Sequence, residues 1–307
     1  MRIRAPRTAG RLAVRGLVLA LLIAVLSAGF GCGGQREGEE PGTDAEKLTH
    51  RARQVAAAWH GSPASAAWRA GYHPMGDVVQ PPRGGLRSTA DERAYAERDF
   101  DLRAELPATS PEHGRVTWAG GDTLTRPLAG AAESYEALSG RRTGTSPRLA
   151  VTGVRLGEMT LATSRGPAAV PAWLFTLEGY DTPLKQAAAT PSPLPRPPIG
   201  RARDIPWHPL HHVSRIAADG RSVTVLAGHG ACDEGPVVEV LEARGTVVLA
   251  ASVKHGEHEG HCTKQEKLRQ LTVPLARPLA DRILLDAHTG RPLPYRPPHG
   301  PTPTWTT

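Results

Sequence analysis

The chain has 307 residues and a formal charge of +7, with 39% apolar and 5% aromatic residues. Those shares lie below ordinary globular usage, and Gly (33) and Pro (29) are abundant, which points to a modest core with long irregular connections rather than a dense enzyme barrel. Five arginines and no acid fall in the first 31 residues, leaving 32 basic against 30 acidic residues beyond them. The remaining charge of about +2 is not the clustered basic surface that nucleic acid requires, so that class of partner is set aside.

The first 31 residues read as a signal peptide. Arg2, Arg4, Arg7, Arg11 and Arg15 form a basic head, and Gly16 to Phe30 form an apolar run. The run is about 15 residues long, short of the roughly 20 needed to span a bilayer as a helix. Gly29-Phe30-Gly31-Cys32 then resembles the lipobox of bacterial lipoproteins, with Gly29 where that motif usually carries Leu. The resemblance implies diacylglyceryl transfer to Cys32, acylation (palmitate among the expected chains) and a membrane anchor. Ordinary cleavage at the small-x-small site formed by Gly29 and Gly31, with secretion, is the alternative.

Residues 32–43 are polar and Gly-rich and read as a flexible tether. Residues 44–147 read as a helical and loop-rich region. Asp44 opens a helix in which Leu48, Ala52, Val55, Ala56 and Trp59 recur at helical spacing; Gly61 stops it and Pro63 seals the stop. A second short helix is expected over 64–70, with Trp68 on its apolar side. Residues 74–85 read as loop, Thr89-Ala90-Asp91-Glu92 as a capping box opening a helix, and 129–138 as a further short helix.

From 148 to 293 the period changes to that of strands. Strands are expected at 149–156, 159–163 and 170–177, then at 222–227, 237–242, 246–253, 268–275 and 283–286, with Ala243-Arg244-Gly245 as a hairpin turn. The proline-dense stretch at 183–206 reads as an excursion favouring polyproline II, and residues 294–307 as a disordered Pro-rich tail. The fold class is therefore α+β: short N-terminal helices followed by a mostly antiparallel β region with one disulfide. In an exported chain the pair Cys232 and Cys262 is most simply that disulfide, and the loop it closes is worth about 3–4 kcal/mol in the chain-entropy model.

Seven of the 13 histidines fall between His208 and His261. Six of them form two clusters, His208-Pro-Leu-His211-His212 and His255-Gly-Glu-His258-Glu-Gly-His261, and His211, His212, His255, His258 and His261 are the candidate ligands for zinc or copper, both of which accept imidazole nitrogen. The bland reading of the same residues is an exposed polar loop, because glycine-interrupted spacing does not fix three ligands around one ion as His-Glu-x-x-His on a helix does. Catalytic templates are sparse: there is no Gly-x-Ser-x-Gly, no Ser-x-x-Lys, no P-loop and no dinucleotide fingerprint.

Thr163-Ser164-Arg165-Gly166-Pro167, Val170-Pro171-Ala172-Trp173, Cys232-Asp233, Cys262 and Arg277-Pro278-Leu279-Ala280-Asp281-Arg282 resemble stretches of an uncharacterised group of secreted proteins and lipoproteins of actinobacteria. The resemblance covers mainly residues 148–293. It implies an extracytoplasmic location and the Cys232–Cys262 pairing, and it implies no reaction. The combined expectation is an envelope protein on the outer face of the membrane with a non-catalytic binding or interaction role. A metal-binding protein and an unrecognised hydrolase are the alternatives. No cofactor is expected in the first reading, and its protein or small-molecule partner is not specified by the sequence.

Overall fold

A computed structural model of the protein describes residues 44–109, 111–139, 148–206, 208, 210–256 and 262–296. Helix α1 (Asp44–Trp59) carries Leu48, Ala52, Val55 and Trp59 at the expected spacing, and all four are buried on one face. Gly61, at φ +64°, turns the chain out of the helix. Helix α2 (Pro63–Ala70) starts with the Ser62 hydroxyl accepting the Ser65 N–H at 3.1 Å, and Pro63 takes a first-turn position whose missing N–H costs nothing. Helix α3 (Thr89–Ala96) is capped one residue earlier than the sequence predicts: Ser88, not Thr89, accepts the Asp91 N–H. Helix α4 (Ala131–Leu138) completes the helices among the described residues.

One sheet gathers β1 (Val79–Gln80), β2 (Phe100–Leu102), β3 (His113–Trp118), β4 (Thr123–Pro127), β5 (Leu149–Thr163), β6 (Gly166–Leu177) and β7 (Leu184–Ala187). Its hydrogen-bonded order is β1-β7-β6-β3-β4, and β5 pairs with both β6 and β2. The two strands expected at 149–156 and 159–163 are one, because β6 pairs antiparallel with β5 along its whole length, from Val151↔Leu177 to Thr163↔Gly166. Strands β1 to β4 come from the stretch read as helical and loop-rich. They escape a sequence reading because each is short; in β3 only Val116 and Trp118 are buried, too few for a period to emerge. Trp173, Phe175, Leu161 and Leu177 centre the core of this sheet.

The remaining strands are β8 (Leu210–Ile216), β9 (Ser222–Gly230), β10 (Asp233–Glu242), β11 (Thr246–His255), β12 (Glu266–Pro274) and β13 (Ile283–Asp286). They form two three-stranded sheets, β12-β9-β8 and β10-β11-β13. Strand β11 explains the layering. Val248 and Ala250 pack with Leu48, Val55 and Trp59 of α1, while Val247, Leu249 and Ala251 pack with Val223, Val225 and Ala227 of β9. A strand covered on both faces reads as a continuous apolar run, which is what Val247–Ala251 is. The order is helix, sheet, sheet. The α+β class with one disulfide and mostly antiparallel pairing is what the structure has; the parallel pairs are β2–β5 and β11–β13.

The stretch at 183–206, expected to lie loose, is packed, and so is the start of the tail, whose residues 297–307 lie outside the described residues. Within 183–206, Leu184–Ala187 is strand β7, and Leu194, Ala202 and Ile205 are buried against α1 and β13. Proline fixes the backbone without preventing side-chain burial, so this segment acts as a strap. Of the tail, residues 294–296 lie along β8, with Val213 N–H donating to Pro294 O and Arg296 N–H donating to Val213 O, each at 2.9 Å. The α1 layer is fastened by polar contacts as well: Trp59 Nε1 donates to Gly290 O at 2.8 Å and Arg51 Nε to Ala287 O at 3.0 Å.

Candidate functional site

Three histidines, His208, His211 and His229, come together at one end of the outer sheet. Strand β9 finishes Gly228-His229-Gly230, the first residue of β12, Glu266, pairs opposite Gly230, and β8 begins one residue before His211. A bulge between Leu210 and His212 breaks strict alternation there, so His211 faces the strand ends. A cleft of about 400 Å³ opens between these termini, lined by His208, His211, His229, Lys264 and Glu266 among others. His211 Nε2 lies 3.3 Å from Glu266 Oε1. Gly228 makes that reach possible, because a Cβ at this position would occupy the space of the Glu266 carboxylate.

A second imidazole–carboxylate pair flanks the cleft. Asp233 opens β10; its Oδ2 accepts the Gly230 N–H at 2.6 Å and its Oδ1 lies 2.9 Å from His255 Nδ1. The His255 hydrogen bond holds the Asp233 carboxyl below the usual carboxylate range. The His208 and His255 rings lie 6.5 Å apart, and burial followed by the neighbouring His255 holds His208 below the ordinary histidine range. The disulfide runs alongside. Cys232 sits between Gly230 and Asp233, Cys262 directly precedes the cleft residue Thr263, and their Cα atoms are 5.8 Å apart. The bridge ties the β9–β10 turn to the segment leading into β12.

No family model, curated protein or solved structure matches the chain. The chemistry of the site therefore rests on its geometry.

Of the five histidines singled out in the sequence, His211 lines the cleft and His255 stands beside it through Asp233. His212 is half-buried away from it, held below the ordinary range by burial, Arg296 and His211. His258 and His261 lie outside the described residues, as does Cys32. His208, part of the cluster at 208–212, lines the cleft as well, and His229 and Glu266, which belong to neither cluster, join it. Among the described residues no three His, Cys, Asp or Glu side chains are arranged to hold one metal ion. The arrangement offers imidazole nitrogens that both donate and accept, with two of the rings oriented by carboxylates. No helix among the described residues is long and apolar enough to cross a membrane.

Proposed function

We propose that the protein is an exported envelope protein, attached to the outer face of the cell membrane through a lipid on Cys32, with a non-catalytic binding role at the histidine-lined cleft. The observation that carries this reading is the Cys232–Cys262 disulfide bracing the rim of that cleft. Cystines persist in oxidising compartments outside the cytosol, and here the cross-link falls where a binding surface needs its loops held. The basic head and apolar run of the leader support export, and the Gly31-Cys32-Gly33 context supports the anchor. Labelling cells with palmitate tests the anchor. The wild-type protein takes up label and Cys32→Ser does not; label persisting in Cys32→Ser contradicts it.

A second reading, zinc or copper binding, rests on His208, His211, His229 and Glu266 lining one cleft, and it requires them to draw closer together, since no three of them are arranged to hold one ion. Titration of the purified protein separates the two. Saturable zinc or copper binding tighter than about 10 µM that is lost in His211→Ala supports the metal reading, and its absence removes that reading.

A further inference from the structure

A second pocket lies at the other end of β10 and β11 from the histidine cleft. The two strands run from the Asp233↔His255 pair beside the cleft to the Glu242↔Val247 pair, about 30 Å away at roughly 3.3 Å per residue. There the hairpin turn Ala243-Arg244-Gly245 meets the end of α1 and a side chain from α2. The space between them measures about 240 Å³ and is lined by Ala56, Trp59, His60, Arg69 and Arg244 among others, with no acid in the lining.

The charges around this pocket do not balance. Arg69 and Arg244 are exposed, and neither has a carboxylate partner among the described residues. Arg69 makes a 3.4 Å contact from Nη1 to Ser65 Oγ on its own helix. Arg277 stands at the same turn, its Nη2 donating to Ala243 O at 3.0 Å. The nearby carboxylate, Glu242, is engaged elsewhere: Oε2 accepts Arg282 Nη1 at 2.7 Å, and its oxygens also accept the Ala276 and Arg277 N–H groups. The end of α1 compensates only in part. A helix C-terminus carries about half a negative charge, which does not offset two guanidiniums. Its carbonyls are partly taken as well, Ala57 O by the His60 N–H and Trp59 O by the Ser62 N–H.

The two arginines are also placed together. Arg69 reaches from α2 to the hairpin, where a Cβ on Gly245 would lie 2.9 Å from its Nη2. Gly245 adjoins Arg244, and its missing side chain lets the Arg69 guanidinium lie on the turn. Each guanidinium is a planar fork of N–H donors that matches two oxygens at once. One fork satisfies a carboxylate. Two forks suit a tetrahedral anion, whose three or four oxygens serve both.

We propose that this pocket binds a phosphate group between Arg69 and Arg244, with His60 beside them. Free inorganic phosphate and the phosphodiester of an anionic lipid headgroup share that chemistry and differ in what the phosphorus carries.

Isothermal titration of the purified protein in phosphate-free buffer has one arm for each source. The first uses inorganic phosphate and the second glycerophosphoglycerol, a deacylated lipid headgroup. Saturable one-to-one binding at a Kd below about 1 mM is expected, and the arm with the tighter binding names the source. Arg69→Gln and Arg244→Gln, both at exposed positions, are each expected to weaken it about tenfold or more. Gly245→Ala keeps every charge but drives a Cβ into the Arg69 guanidinium, and is expected to weaken binding severalfold. If neither compound saturates by about 10 mM, the inference is overturned. Affinity unchanged in Arg69→Gln or in Gly245→Ala overturns it equally, because the anion is then held by net charge or by another group.

Discussion

Strands β11 and β12 belong to adjacent layers and are treated in opposite ways. Thr246–Ala251 of β11 is six successive buried residues between α1 and β9, whereas Glu266–Gln270 of β12 is five successive exposed ones. The first makes the stability of the C-terminal part. The second makes an exposed edge, where it and the neighbouring strand ends present His211, His229 and Glu266 to the cleft. The disulfide lies at the junction of the two regimes, holding the turn after β9 to the approach to β12. Stability and site chemistry are thus separated by one layer, and substitutions should sort accordingly.

The strongest test of that separation is at the buried layer. Trp59→Ala removes a fully buried ring and its hydrogen bond to Gly290 O, and should cost about 3–5 kcal/mol in urea denaturation. A cost under about 1 kcal/mol would mean that α1 is not integral to the middle sheet. At the junction, replacing both Cys232 and Cys262 by Ser should lower stability by about 2–4 kcal/mol, since the loop closed spans 30 positions. The loss should be reproduced in the wild type by adding a reductant.

A pH experiment separates a buried imidazole from the exposed ones. Burial holds His73 at about 4, so the unfolded chain binds the extra proton between about pH 6.5 and 4 while the folded chain does not. Stability present above pH 6.5 is therefore lost as pH falls to 4, by up to about 3 kcal/mol for this group. His288, also held at about 4 by burial, acts in the same direction. His73→Phe, which keeps a ring stacked on Trp68, should flatten the decline measured by denaturation at pH 7 and pH 5. An unchanged slope would show that His73 does not set it. The smallest effect is expected on β12, where Leu268 is 52% exposed; Leu268→Ala should shift stability by no more than about 0.5 kcal/mol.

How much of this was legible in the sequence follows the same division. The spacing of Leu48, Ala52, Val55 and Trp59 announces α1, the pattern at 246–253 announces a strand, and Ala243-Arg244-Gly245 marks the hairpin between β10 and β11. These signals are local, and burial imposes them on residue type. Of the three cysteines, Cys32 is expected at the end of the leader, and the pairing of the other two, Cys232 and Cys262, is what the structure has. Convergence is not local. His208 and His229 join His211 only through the β8–β9 register and its bulge, and Glu266 reaches them only because Gly228 has no side chain. The packing of the strap at 183–206 is not legible in the sequence, because proline density signals a stiff backbone and says nothing about whether Leu194 and Ile205 between the prolines find a core.

The central claim is that this is an extracytoplasmic protein whose binding cleft is braced by a cystine, and its most direct test is the state of the two thiols in cells. Protein isolated under acid quench and alkylated before and after reduction is read by mass spectrometry. The account predicts that the peptides containing Cys232 and Cys262 carry no alkyl group before reduction and one each after it. Alkylation of both without reduction would place the thiols in a reducing compartment and contradict the account.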